Sequence, residues 1–160
     1  MQHVYWVIER ELCGRPGPHK VAWDTAALRA AGIQGVVSLD GPIDADALSQ
    51  TALAHLPVYQ PMIVLQDEQR QREFLSQLPP IFRFIDDCRQ QGGAALVHCY
   101  HGWDRTGTVL ACYLVARRNL TAKEAINVVR NVNLDAMGTV GYEEAVVLFE
   151  QMFTNDSWKI

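Results

Sequence analysis

Between an apolar run and a long apolar segment, the stretch His98-Cys99-Tyr100-His101-Gly102-Trp103-Asp104-Arg105-Thr106-Gly107 gathers a thiol, a guanidinium and two glycines. A tight loop that enters a helix turns its unpaired backbone N–H groups inward, and the helix dipole adds partial positive charge, so such a loop cradles an anion. A cysteine at the base of that cradle is favoured as thiolate, the nucleophilic form. Arg105 follows Cys99 by six positions and offers a planar fork suited to two phosphate oxygens. Gly102 lets the backbone come close to the anion. Type and spacing thus predict phosphoryl chemistry. An inert core cysteine would leave Gly102 and Arg105 as coincidence. A zinc site of Cys88, His98, Cys99 and His101 lacks a second spaced ligand pair. A nucleotide-binding loop needs Lys and Ser/Thr where Thr108 and Val109 stand.

The elements around this loop can be read from pattern. Ala94 to Val97 is a short apolar run that reads as a central strand covered on both faces. Thr106 to Arg118 is apolar on nearly every side and predicts a buried helix. Upstream, Val4 to Ile8 reads as a strand, Leu12 to Pro18 as strand end and turn-rich loop, and Gly35 to Leu39 as a buried strand. Asp24 or Thr25 caps a helix through Ala31, Asp44 to Ala54 is a second helix, and His55 to Tyr59 a further strand. From Gln69, Phe74, Leu75, Leu78, Phe82 and Ile85 recur at helical spacing, with Pro79 and Pro80 kinking or restarting the helix. Thr121 with Glu124 is a capping-box pattern for a helix through Arg130, and a last helix runs from Gly141 to Phe153.

The 160 residues fit one domain, 1–160, and 49% hydrophobic with 20% charged residues describes a globular chain. With 14 Lys+Arg against 18 Asp+Glu the formal charge is -4 and no like-charge block stands out. That balance argues against nucleic acid as a partner. No run reaches the roughly 20 apolar residues of a membrane span, and the N-terminus has no signal core, so a cytoplasmic protein is expected. Cys13, Cys88, Cys99 and Cys112 form no C-x-x-C pair and read as free thiols; Cys13 and Cys88 are expected to pack rather than to protect Cys99 in a disulfide. Arg15 is placed at the rim of the site by its loop position alone.

His-Cys-x-x-Gly-x-x-Arg-Thr-Gly resembles the signature loop of protein tyrosine and dual-specificity phosphatases. The resemblance extends from about Trp6 to Phe153 and is closest to small single-domain dual-specificity phosphatases, notably across Gly107-Thr108-Val109-Leu110-Ala111-Cys112-Tyr113-Leu114. It implies an α/β fold with a central, mostly parallel sheet flanked by helices. It implies further that Cys99 attacks phosphorus in line and forms a cysteinyl-phosphate. Arg105 and the loop amides of Tyr100, His101, Gly102, Trp103, Asp104 and Arg105 would bind the phosphate oxygens. Thr106 would hydrogen-bond the thiolate as it leaves, and His98 would orient the loop. No metal and no cofactor are required.

Expelling an alkoxide or phenolate needs a proton. Asp67 precedes the long helix at a separation from Cys99 that resembles several dual-specificity phosphatases, and it is the expected donor. Other relatives place this Asp just after an Ile-Pro pair, where the similar segment here reads Leu56-Pro57-Val58-Tyr59-Gln60. Gly102-Trp103-Asp104-Arg105-Thr106 resembles the loop of myotubularin-type phosphoinositide phosphatases, which makes Asp104 the rival donor; otherwise Asp104 pairs with a neighbouring amide or Arg and shapes the loop. The expected substrate is a phosphorylated protein or peptide, phosphotyrosine first and phosphoserine or phosphothreonine second, acted on by a monomer. Phosphoinositides or inositol phosphates are the alternative, supported by His101 and Trp103, which could contact a sugar-like ring. An RNA 5′-phosphatase and an inactive phosphate-binding relative rank below these.

Overall fold

The computed structural model describes residues 3–61 and 64–155. Five strands, β1 (Tyr5–Ile8), β2 (Leu12–Pro16), β3 (Ile33–Ser38), β4 (Ala54–Pro57) and β5 (Ala94–Cys99), form one sheet in the order β1-β2-β5-β3-β4. Only β1 runs antiparallel to its neighbour; β2, β5, β3 and β4 are parallel. Parallel strands need crossovers, and helices supply them here. α1 (Thr25–Ala30) and α2 (Ala45–Gln50) cover one face. α3 (Glu68–Leu75), α4 (Leu78–Gln90), α5 (Asp104–Arg118), α6 (Ala122–Val132) and α7 (Tyr142–Thr154) build the larger core on the other. The loop from β5 to α5 therefore leaves the C-terminal edge of the central strand, where sheets of this kind bind ligands.

Several boundaries shift from expectation for physical reasons. Leu12–Pro16 is a full strand between β1 and β5, although its glycine and proline read as a turn. Gly14 is needed there because a Cβ would stand 2.4 Å from the Tyr5 ring. Pro16 sits at the strand's last position, where a missing N–H costs least. The doubled proline restarts the helix: α3 ends at Leu75 and α4 begins at Leu78, with Pro in its first turn, where no intrahelical N–H is lost. α2 is shorter than predicted, because Leu53 turns into the core and Ala54 already opens β4. β5 runs two residues further than its apolar run, so Cys99 is the last residue of the strand.

α5 is buried from Arg105 to Ala116, as a helix enclosed by the sheet, α6 and α7 must be. Its C-terminal half is tied to α4 by polar side chains. The Tyr113 hydroxyl donates to Asp86 Oδ1 on α4 at 2.7 Å, and Arg117 Nε donates to Asp86 Oδ2 at 2.9 Å. The N-terminal half of the helix is left to the loop.

Candidate active site

Cys99 is 3% exposed, and the backbone N–H of Gly102 donates to its Sγ at 3.3 Å. The loop can turn this tightly because Gly102 lies at φ +74, and because a Cβ there would stand 2.5 Å from the Arg15 carbonyl. The Gly102 carbonyl points outward and is tied down twice, by the Tyr5 hydroxyl and by Asn133 Nδ2 at 2.9 Å. Both backbone groups of one residue, and so the two peptide units that flank it, are thus fixed, the N–H on the sulfur and the C=O on β1 and the end of α6.

α5 begins at Asp104, two residues before the predicted start, so Asp104 and Arg105 occupy its first turn. Arg105 is 5% exposed. Its Nη1 donates to Gln60 O at 2.8 Å and Leu39 O at 3.4 Å and pairs with Asp40 Oδ1 at 2.6 Å. Nε and Nη2 have no hydrogen-bond partner among the described residues, so one edge of the fork stays unspent. Thr106 is fully buried, and its Oγ1 is likewise without a partner. An unspent donor edge and an unspent hydroxyl, six and seven positions after Cys99, fit a bound oxyanion.

His98 occupies the β5 position before the nucleophile with its side chain on the opposite face. Burial, with Arg15, His55 and Arg105 nearby, brings its imidazole down to about 3, so it is neutral in the folded protein. The unfolded chain takes up that proton near pH 6.5. Stability from this group is therefore complete above about pH 6.5 and is lost as pH falls toward 3. Between pH 7 and pH 5 the loss is about 2 kcal/mol, read as a lower urea midpoint, and His98→Asn flattens that slope.

The remaining predicted residues are dispersed around the loop. Tyr100 and Trp103 are 38% and 40% exposed, and the Trp103 ring stacks on His101 at 4.7 Å between centroids. His101 and Trp103 help line a cavity of about 300 Å³ with Tyr5, Pro16, Val132 and Asn133. Asp104 accepts from the Thr139 N–H at 3.1 Å and the Thr139 hydroxyl at 2.6 Å, which pins the segment before α7 to the loop. Asp67 caps α3, accepting from Arg70 N at 2.9 Å, and is half exposed. Arg15 is not at the rim: it is 1% exposed, on β2, on the sheet face opposite Cys99. Cys13 pairs with Leu96 while Pro16 pairs with Cys99. Three residue steps, roughly 10 Å, keep Cys13 beyond disulfide reach of Cys99. Burial pushes the Cys88 thiol up to about 11 and the Cys13 thiol higher still, so neither competes as a nucleophile.

Asp40, Gln60, Asn133 and Thr139 shape the site without having been singled out. Asp40 carried a signal: it is the second residue past β3, at the same sheet edge as the loop. Asn133 and Thr139 carried none, since only tertiary packing brings them to Gly102 and Asp104.

Residues 30–152 match the family model of the dual specificity phosphatase catalytic domain. The dual specificity protein phosphatase 12 of Mus musculus is 29% identical over 125 residues, 78% of this chain and 35% of that protein. The dual specificity protein phosphatase CDC14C of Homo sapiens is 48% identical over 48 residues, 30% of this chain and 11% of its own length. The chain thus spans about a third or less of these relatives. Among solved structures, that of Tk-PTP in the active form superposes with a TM-score of 0.73 at 21% identity, covering 94% of this chain and 97% of the other. The matched span takes in β4, β5, the whole loop and every helix from α2 onward, and on that ground the chain belongs to the dual specificity phosphatase catalytic-domain family.

Proposed function

We propose that this domain hydrolyses phosphoproteins, phosphotyrosine first and phosphoserine or phosphothreonine second, through a cysteinyl-phosphate. The observation that carries the reading is the Gly102 N–H held on Cys99 Sγ while Arg105 keeps an unspent fork edge. Cys99 Sγ attacks phosphorus as the P–O bond to the leaving group breaks, and Asp67 gives its proton to the departing oxygen. Water then attacks phosphorus, the S–P bond breaks, and Thr106 Oγ1 donates to the returning thiolate. Arg105 and the loop amides hold the three equatorial oxygens throughout.

The test compares kcat/KM on a phosphotyrosine peptide, a phosphothreonine peptide, phosphoinositides, inositol polyphosphates and 5′-triphosphorylated RNA. The phosphotyrosine peptide is expected to lead. The stacked His101 and Trp103 rings favour a phosphoinositide as the second reading, and a lead by that arm would replace the first. Failure on every substrate would remove catalysis altogether.

Asp67→Asn is expected to lower turnover of phenyl phosphate by roughly 10²-fold and that of para-nitrophenyl phosphate by much less, since a good leaving group needs no proton. The variant also loses the fall in rate toward high pH that a protonated donor imposes. Near-normal turnover on both esters would move the donor to Asp104.

A further inference from the structure

On the sheet face opposite Cys99, three polar side chains lie in a row across parallel strands, Arg15 on β2, His98 on β5 and Ser38 on β3, and His55 on β4 stands diagonal to Ser38, opposite Val36. Arg15 pairs with His98 in register, and His98 with Ser38. Ser38 is fully buried, and its Oγ lies 2.6 Å from His98 Nε2 and 2.8 Å from His55 Nε2. A buried chain of three side chains thus runs from beneath the loop to the half-buried His55.

A serine hydroxyl has one hydrogen, so it donates to one imidazole and accepts from the other. If Ser38 accepted from His98, the bare Nδ1 of His98 would face the Cys99 carbonyl, two lone pairs meeting in a buried space. Nδ1 and that carbonyl both lie against Gly17, where a Cβ would stand 3.1 Å from the one and 2.8 Å from the other. The Cys99 backbone favours a proton on this ring. Nδ1 makes no hydrogen bond to any other described residue, and the Cys99 carbonyl is the acceptor that lies beside it. The assignment that avoids the clash is His55 Nε2–H to Ser38, Ser38 O–H to His98 Nε2, and His98 Nδ1–H toward the Cys99 carbonyl.

A second proton on His98 is opposed from every side. Arg15 faces it from β2, 1% exposed, bonded to the carbonyls of Val21 and Ala22 and stacked 5.1 Å over Trp23, with no carboxylate partner among the described residues. Arg105 faces it from α5 and His55 from β4. Trp23, whose N–H is held by Asp44 Oδ2 at 2.8 Å, closes the space with its ring 5.0 Å from His98. The ring carries a single proton, and among the described residues the only polar side chain bonded to it is Ser38.

We infer that Ser38 is a positioning residue of this active site, fixing His98 as the Nδ1–H tautomer beneath Cys99 and linking the loop to His55 at the surface. The inference rests on Cys99 as the nucleophile. The Nδ1–H dipole withdraws charge from the Cys99 peptide and favours a thiolate on the same residue. His55 donates through Nε2–H whether neutral or charged, so the chain survives its titration, and a charged His55 polarises it further.

The test follows alkylation of Cys99 by iodoacetamide against pH in the full chain, burial holding the other three thiols protonated. Ser38→Ala is expected to move the curve about one unit to higher pH and to lower kcat/KM near pH 6.5 by about tenfold, with KM nearly unchanged. His55→Leu moves it the same way by less, and His55→Gln, whose amide still donates to Ser38, restores it. An unchanged curve in folded Ser38→Ala overturns the inference. If that variant does not fold, an unchanged curve in His55→Leu does so instead. Alkylation requires no turnover, so a chain that keeps this behaviour but fails on every phosphate ester separates loss of the proposed function from loss of the inference.

Discussion

Cys99→Ser is expected to abolish turnover of a phosphotyrosine peptide, by about 10⁴-fold or more, while inorganic phosphate still binds. An alcohol is a far poorer nucleophile than a thiol near neutral pH, so the Gly102 N–H that lies 3.3 Å from the sulfur faces a neutral hydroxyl instead. No other thiol among the described residues can take over the attack. Cys13 and Cys112 are fully buried, Cys88 is 3% exposed on α4, and burial keeps all three protonated. The phosphate cradle does not depend on the sulfur, because the Arg105 anchors and the fixed Gly102 peptide are untouched by the change. Turnover is measured on the peptide and phosphate binding by calorimetry. A serine variant that keeps more than about a hundredth of the rate would exclude Cys99 as the nucleophile.

The loop was legible because its chemistry is local: Cys99, Gly102 and Arg105 act within seven residues, and α5 announces itself by being apolar on all sides. What surrounds the loop is non-local, and single residues there give no pattern. Asp40 reaches Arg105 across 65 positions and Ser38 reaches His98 across 60, distances set by parallel crossovers that bring strand ends to one edge. β2 was hidden for a different reason. Gly14 and Pro16 are turn residues by type, yet here one makes room for the Tyr5 ring and the other ends a strand, and only the packing tells those uses apart. Arg15 was misplaced with that strand, since a residue assigned to a loop is taken for exposed. Asp104 shows the reverse. Its place in the loop suggested chemistry, and both its oxygens accept from Thr139.

Arg105→Lys is expected to cost about 10³-fold in kcat/KM although the charge is kept. In Arg105 one nitrogen, Nη1, is committed to Asp40, Gln60 and Leu39, and this anchoring orients the plane of the guanidinium. Nε and Nη2 then present two parallel N–H groups to two phosphate oxygens at no further cost in side-chain entropy. A lysine ammonium is a single point. It can meet Asp40 or the phosphate, and the carboxylate, 15% exposed and already in place, holds it in the resting protein. Arg105→Ala is the poorer experiment, because it leaves Asp40 as a largely buried charge without a partner and threatens the fold as well as the activity. Asp40→Asn completes the comparison. It frees the guanidinium while sparing its charge, so the loss is about tenfold and falls on kcat more than on KM, the mark of a group that orients Arg105 in the transition state. Equal, near-wild-type kcat/KM in Arg105→Lys would mean that the phosphate is held by the loop amides alone.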